Sequence, residues 1–159
     1  MFRVGTGFDV HAFTKGENII LCGIKIPFSK SLKGHSDADV ALHALTDAIL
    51  GALSLGDIGR WFPDSDPEWK NAKSEIFLNK ALELMKDSKM TIGNIDMTII
   101  CQQPKISLIN ERLIESVSKI CGIEKKVINI KGTTTENLGF TGREEGIASL
   151  CTVLLHEIK

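Results

Sequence analysis

Residues 34–56 read GHSDADVALHALTDAILGALSLG, and the fold class turns on them. Ala41, Leu45, Ala48, Ile49 and Ala52 recur at helical spacing, and Gly56 follows as a stop. Ser36 or Asp37 stands where an N-cap belongs, with acids in the first turn to suit the helix dipole. The helix is strongly apolar, yet Asp39, His43 and Asp47 follow one another at i,i+4 and draw a polar stripe along it.

The segments on either side read mostly as strands. Upstream, GFDVHAF (7–13) is a short extended run, and NIILCGIKIPF (18–28) is a second one or a hairpin with Gly23 at its turn. Downstream, the prolines and aspartates of DIGRWFPDSDPEW (57–69) mark a loop, leading to a second helix with Phe77, Ala81, Leu84 and Met85 on one face. TIGNIDMTIICQQP (91–104) alternates, placing Ile95, Met97, Ile99 and Cys101 on one side and Asn94, Asp96 and Thr98 on the other. Ile109, Leu113, Val117 and Ile120 mark a third helix, and KVINIKGTTT (126–135) is a strand that runs into a hydroxyl-rich loop. In the last strand, GIASLCTVLLHEI (146–158), Ile147, Cys151 and Val153 share one face while Ala148, Leu150 and Leu154 share the other. A strand apolar on both sides needs cover on both, from a helix or from a partner subunit. The sum is an α/β protein, a single domain over residues 1–159 with a mixed sheet covered by helices on one face.

Composition narrows the function classes. The 19 lysines and arginines nearly balance the 20 aspartates and glutamates, so no basic field points to nucleic acid and any anionic ligand must be held by local chemistry. Four scattered cysteines without a CxxC pair fit a reducing compartment, where buried thiols behave as small hydrophobes. The opening residues lack a secretory pattern and no apolar run is long enough to span a bilayer, so a cytoplasmic protein, or a mature organellar form, is expected.

Residues two apart on a strand point the same way, so Asp9 and His11 project together. With His43 as a third donor they form an Asp, His, His set of the catalytic zinc type, with one position open. Spacing alone favours the plainer reading, a local Asp9–His11 ion pair and a satisfied, half-buried His43, since strand DxH pairs are common. His35 stands beside a helix N-terminus, where phosphate binds readily. KGTTTENLGFTGREEG (131–146) gathers three hydroxyls, a carboxylate and Arg143, all of which are also ordinary turn material. Asp47 is either a group orienting a ligand imidazole or a surface acid, and His156 has no assigned role.

GFDVHAF, HSDADVALHALTDAILGALSLGDIG, FPDSD, CQQPK and TTTENLGFTGREEGIA, in that order, closely resemble the 2-C-methyl-D-erythritol 2,4-cyclodiphosphate synthase family, over essentially the whole chain. The resemblance implies a homotrimer with active sites between subunits, and zinc on Asp9, His11 and His43. It implies that His35 and Thr134 steady the transition state. Substrate would be bound by Asp9, Val10, His11, His35 and Ser36, and the erythritol part met by Asp57, Ile58, Gly59, Phe62, Pro63, Asp64, Ser65 and Asp66. Cys101, Gln102, Gln103, Pro104, Lys105, Ile106 and Ser107, with Thr133, Thr134 and Thr135, would form the cytidine and phosphate pocket. Glu136 would help hold magnesium or manganese on the diphosphate, and Phe140 and Arg143 match positions near the trimer axis, where some members hold an isoprenoid diphosphate. The implied reaction converts 4-diphosphocytidyl-2-C-methyl-D-erythritol 2-phosphate into the cyclic diphosphate and CMP, in the non-mevalonate isoprenoid pathway. Two other readings use the same residues: a metal-dependent phosphohydrolase, and a non-catalytic trimer that senses isoprenoid diphosphates.

Overall fold

The structure, a computed structural model, describes residues 1–63 and 65–158. Its first element is a long strand, β1 (Phe2–Thr14), whose even-numbered residues are exposed while Gly5, Gly7, Asp9, His11 and Phe13 face the interior. A hairpin follows, β2 (Asn18–Leu21) and β3 (Ile24–Pro27), turned by Cys22 and Gly23 at φ 53° and 76°. Two consecutive left-handed residues suit the twist of a two-residue hairpin, and glycine takes the second at no steric cost. The short β4 (Ser31–Leu32) pairs with the end of β1.

Helix α1 (Val40–Ala52) is buried over nearly its whole circumference, between the sheet and a later helix. Its approach to β1 is set by two glycines. A Cβ on Gly5 would lie 1.9 Å from the Ala48 carbonyl oxygen, and one on Gly7 2.0 Å from that of Ala44. Only residues without a Cβ let the helix backbone come so close, and this contact lays His43 over Asp9.

The cap of α1 differs from the expectation for Ser36 or Asp37. Asp39 is the N-cap, its carboxylate accepting from the Leu42 amide at 3.0 Å. Ala38, at φ 57°, swings the chain so that neither earlier residue can cap. Asp39 also accepts from the Cys22 and Gly23 amides, tying the hairpin turn to the helix. Burial is the largest influence on Asp39 and pushes its carboxyl up to about 6, against the pull of these amides. The helix ends at Ala52 with Leu53 as cap, so Gly56 (φ 86°) shapes the following loop and does not stop the helix.

Within the segment read as loop, α2 (Ile58–Trp61) is a single turn, and Pro67–Trp69 form a 3-10 turn. Helix α3 (Ser74–Asp87) packs on α1 through its buried face, which includes Phe77, Leu78, Ala81 and Met85. Strand β5 (Met90–Ile100) carries a register shift between Ile92 and Asn94, and Ile95, Met97 and Ile99 then point inward as their alternation requires. Helix α4 (Asn110–Cys121) crosses over to β6 (Ile128–Thr133), which runs parallel to β5. The short α5 (Gly139–Gly142) precedes β7 (Gly146–Glu157).

The sheet is mixed, in the order β4-β1-β7-β5-β6, with helices on one face. β7 lies antiparallel between β1 and β5, with Ser149 opposite Asp9 on one side and Ile99 on the other. Its inward residues Ile147, Cys151, Val153 and Leu155 are fully buried. The other face is open: Phe2 is 74% exposed, Val4 65%, Phe8 54% and Leu150 40%. The sheet therefore has an apolar side that the described residues leave uncovered. Burial raises the Cys101 thiol to about 11 and that of Cys121 to about 12, so these cysteines are packing residues rather than nucleophiles. Among the described residues no helix is long and apolar enough to cross a membrane.

Candidate active site

The glycine contact between β1 and α1 brings Asp9, His11 and His43 together. Asp9 Oδ2 lies 3.0 Å from His11 Nε2 and 3.1 Å from His43 Nδ1, and the two imidazole nitrogens are 3.2 Å apart. All three donor atoms fall within 4.8 Å of one another. Two imidazoles and a carboxylate form the ligand set of open catalytic zinc sites, so this cluster fits a metal ion.

Each ring is also held from behind. His11 Nδ1 lies 2.8 Å from the Lys33 carbonyl oxygen, which can only accept, so this nitrogen carries a proton and Nε2 is turned to the cluster. His43 Nε2 meets the hydroxyls of Ser74 at 2.8 Å and Ser36 at 3.1 Å. Burial would raise the Asp9 carboxyl, but hydrogen bonds and charge from His11 and His43 outweigh it and hold Asp9 well below the usual carboxylate range. For His11, burial works downward and is outweighed by Asp9 and the Lys33 carbonyl, so its pKa rises. Asp47 neither orients a ligand ring nor sits free on the surface. Its Oδ1 accepts from the Ile58 amide at 2.7 Å, fixing the start of α2, and burial raises its carboxyl.

These groups open into a cavity of about 190 Å³ lined by Asp9, His11, His35, Ser36, His43, Ile58, Gly59 and Phe62, all expected, and by Trp69 and Phe77, which were not. Phe62 lies against Phe77 (centroids 4.6 Å) and edge-on to Trp69 (5.0 Å), giving the cavity an aromatic wall. Phe77 was readable only as a core position on a helix face, and Trp69 only as part of a loop. His35 Nε2 lies 3.4 Å from the Asp66 carbonyl oxygen. Asp57 caps α2 through the Arg60 amide, and Asp66 caps the 3-10 turn through Glu68. Val10 points to the open face of the sheet. Pro63 and Ser65 are exposed, and Asp64 lies outside the described residues.

A second cavity, of about 220 Å³, is lined by Cys101, Gln102, Pro104, Lys105, Ile106, Ser107, Gly132, Thr133 and Thr134, with the peptide before Pro104 in cis. Gln103 is exposed beside it. The two expected catalytic groups, His35 and Thr134, thus line different cavities of the chain. Beyond the second cavity, Thr134 donates to Glu136 Oε1 at 3.0 Å, and Thr135 donates to the Leu138 carbonyl. Glu136 is exposed, Phe140 is 40% exposed, and Arg143 makes a two-pronged pair with Glu145.

The YgbB family profile matches residues 2–156. A 2-C-methyl-D-erythritol 2,4-cyclodiphosphate synthase of Cereibacter sphaeroides is 53% identical over 153 residues, covering 96% of each chain. A bifunctional enzyme IspD/IspF of Rhodobacter capsulatus is 55% identical over 153 residues, 96% of this chain and 40% of that protein. The chain thus spans about two fifths of the length of such bifunctional relatives. Among solved structures, an IspF of Plasmodium falciparum in complex with CDP superposes with a TM-score of 0.88 at 35% identity, over 99% of this chain and 97% of that one.

Proposed function

The chain belongs to the YgbB family, and on that premise we propose that it cyclises 4-diphosphocytidyl-2-C-methyl-D-erythritol 2-phosphate, releasing CMP. The observation that carries the reading is the convergence of Asp9 Oδ2, His11 Nε2 and His43 Nδ1 within 4.8 Å, beside a cavity with an aromatic wall. In the reaction an oxygen of the 2-phosphate attacks the β-phosphorus, the bond from that phosphorus to the bridging oxygen breaks, and CMP departs with the electron pair. Phosphoryl transfer of this kind needs positioning and charge neutralisation, with no protein nucleophile. Zinc held by Asp9, His11 and His43 would supply a Lewis acid for a phosphate oxygen. Magnesium or manganese would be held by Glu136 together with substrate phosphates and water, the usual way such hard cations are bound.

The chain's own residues do the rest. His35 and Thr134 steady charge on the phosphates, and Lys105 and the Thr133–Thr135 hydroxyls bind the nucleotide side. Ile58, Gly59, Phe62, Trp69 and Phe77 enclose the erythritol part and limit access of water, which would divert the reaction to hydrolysis. Holding the two reacting phosphates in contact can remove roughly 7–11 kcal/mol of barrier in well-oriented systems.

Neither cavity alone reaches the ~300–1,000 Å³ usual for a small-molecule site, and they share no lining residue. The exposed apolar residues of β1 and β7 give a reason for subunits to pack through the open face of the sheet. Both features favour a homotrimer in which one copy supplies the metal cluster and a neighbour the nucleotide segment, with Phe140 and Arg143 near the axis as a place for an isoprenoid diphosphate. Phosphorus NMR after incubation with the cytidyl substrate, zinc and magnesium tests the reaction. The cyclic diphosphate with equimolar CMP is expected. A linear phosphate would identify a hydrolase, and unchanged substrate a binding protein.

A further inference from the structure

Two hydroxyls compete for the same nitrogen of His43, and the structure shows which must win. Ser74, the first residue of α3, is fully buried, with its Oγ 2.8 Å from His43 Nε2. The same hydroxyl contacts Asp37 Oδ1, and Asp37 Oδ2 takes the Ser74 amide at 3.1 Å. Asp37 Oδ1 also accepts from the Asp39 amide, and the Asp37 amide donates to the Ala72 carbonyl, so the carboxylate is fixed from both sides. A carboxylate can only accept, which commits the single proton of Ser74 to Asp37. Toward His43, Ser74 therefore has only lone pairs to offer. It accepts from His43 Nε2–H and so draws the ring proton away from Nδ1, where Asp9 Oδ2 at 3.1 Å, also only an acceptor, pulls the other way until a metal takes the place of that proton.

Ser36 has the opposite tendency. Its Oγ, 3.1 Å from His43 Nε2, already accepts weakly from the Ala38 amide at 3.3 Å and keeps a proton free to donate. Such a donation would force the His43 proton onto Nδ1, the atom a metal needs.

We propose that Asp37 and Ser74 are positioning residues that lock His43 in its Nε2–H tautomer and so keep Nδ1 available as a metal ligand. The inference rests on the metal reading above. It also assigns a purpose to two residues outside the expected site, one before α1 and one on a different helix. Hydrogen-bond partners of ligand imidazoles that fix tautomer and orientation commonly change metal affinity by about 10- to 100-fold when removed.

The test uses the full chain, wild type and with Ser74→Ala or Ser36→Ala, and two readouts. Zinc affinity is measured by competition with a chromophoric chelator, and the His43 tautomer by nitrogen-15 NMR of imidazole-labelled protein stripped of metal. Alanine is a good helix former at the first position of α3 and removes only the hydroxyl, and a melting curve checks the fold. Expected are a larger Nε2–H share in the wild type than in Ser74→Ala, where Asp9 is left to draw the proton to Nδ1, and a loss of zinc affinity of about 10- to 100-fold in that variant. Ser36→Ala should keep both within about twofold of wild type. The proposal is overturned if Ser74→Ala leaves the distribution of the His43 proton between its two nitrogens unchanged, or if it binds zinc as the wild type does. A wild type that binds no zinc but holds the Nε2–H tautomer, lost in Ser74→Ala, would sink the metal reading and leave the tautomer lock standing.

Discussion

His43 is 9% exposed, with both ring nitrogens held by groups on three different segments, whereas Glu136 is exposed, stands at φ 52° and takes a hydrogen bond from Thr134 two residues away. The cluster half of the site is thus fixed by long-range packing: β1 against α1, the Lys33 carbonyl behind His11, and α3 behind His43. The half around the second cavity is fixed by the turn itself. Glu136 and Asn137 both occupy the left-handed region, which costs ordinary residues free energy and persists where a loop is held for a purpose. The difference teaches that one half is preorganised within a single chain, while the other offers its groups outward, to a ligand or a second copy.

The sharpest break of that contrast is His43→Ala. It should leave the chain folded, because the apolar positions of α1 and the glycine contact with β1 are untouched, and it should abolish stoichiometric zinc. A Lewis acid is worth several kcal/mol of transition-state stabilisation, so CMP release should fall by on the order of a thousandfold or more. Metal analysis of the purified variant decides the matter. Full zinc there would remove His43 from the ligand set and with it the reading of the cluster as a metal site.

Glu136→Gln probes the outward half and should act differently. The amide keeps the size and the bond from Thr134 but loses the charge that a hard cation needs. Zinc content and the mass by light scattering, that of a trimer on the proposed reading, should match the wild type while CMP release drops about 100-fold, the scale seen when one stabilising group is removed from a charged transition state. If Glu136 only steadies its turn, the near-isosteric amide would turn over normally at saturating magnesium. A monomeric mass for the wild type would count against the shared site.

The same contrast explains what could be read from the sequence. The DxH pair on an alternating strand and a histidine on a helix are local patterns that raised all three cluster residues as candidates, but spacing alone favoured an ion pair beside a separate histidine, and it was the family resemblance that joined them into one metal set. The inward positions Ile95, Met97 and Ile99 were equally legible from alternation. What escaped was set by contacts distant in the chain. Ser36 and Asp37 looked like caps because capping is local, yet Ala38 turns the chain and Asp37 spends its carboxylate on Ser74, 37 residues away. Asp47 looked optional because nothing local shows that α2 returns to it. Trp69 and Phe77 carry no spacing that separates a cavity wall from a core, and their joint role exists only once Phe62 and Trp69 pack against Phe77 on α3.

The smallest expected effect concerns pH and bears on how firmly the cluster half is held. Asp39 is fully buried and joins the hairpin turn to α1 through three backbone amides, and its carboxyl is raised from an ordinary value near 3.8 to about 6. A carboxyl raised in the folded state favours folding while protonated, so its contribution is full below about pH 3.8 and is lost as pH rises through 6. The raised His11 works in the same direction, since its share is present below its ordinary value of 6.5 and fades above its folded value. Asp9, held low, contributes fully above 3.8 and so adds no slope between pH 5 and 8. Metal-free protein should therefore melt lower at pH 8 than at pH 5. Asp39 alone contributes at most ~3 kcal/mol for a shift of about two units, of which roughly half remains to be lost between pH 5 and pH 8, and at roughly 2–4 °C per kcal/mol for a chain of this size the melting temperature should move by a few degrees. Asp39→Asn, less stable because its amide faces backbone donors, should show a shallower slope. A flat wild-type profile would mean that the three amide donors fully offset burial and keep Asp39 ionised throughout, making the cluster half as insensitive to pH as it is to solvent.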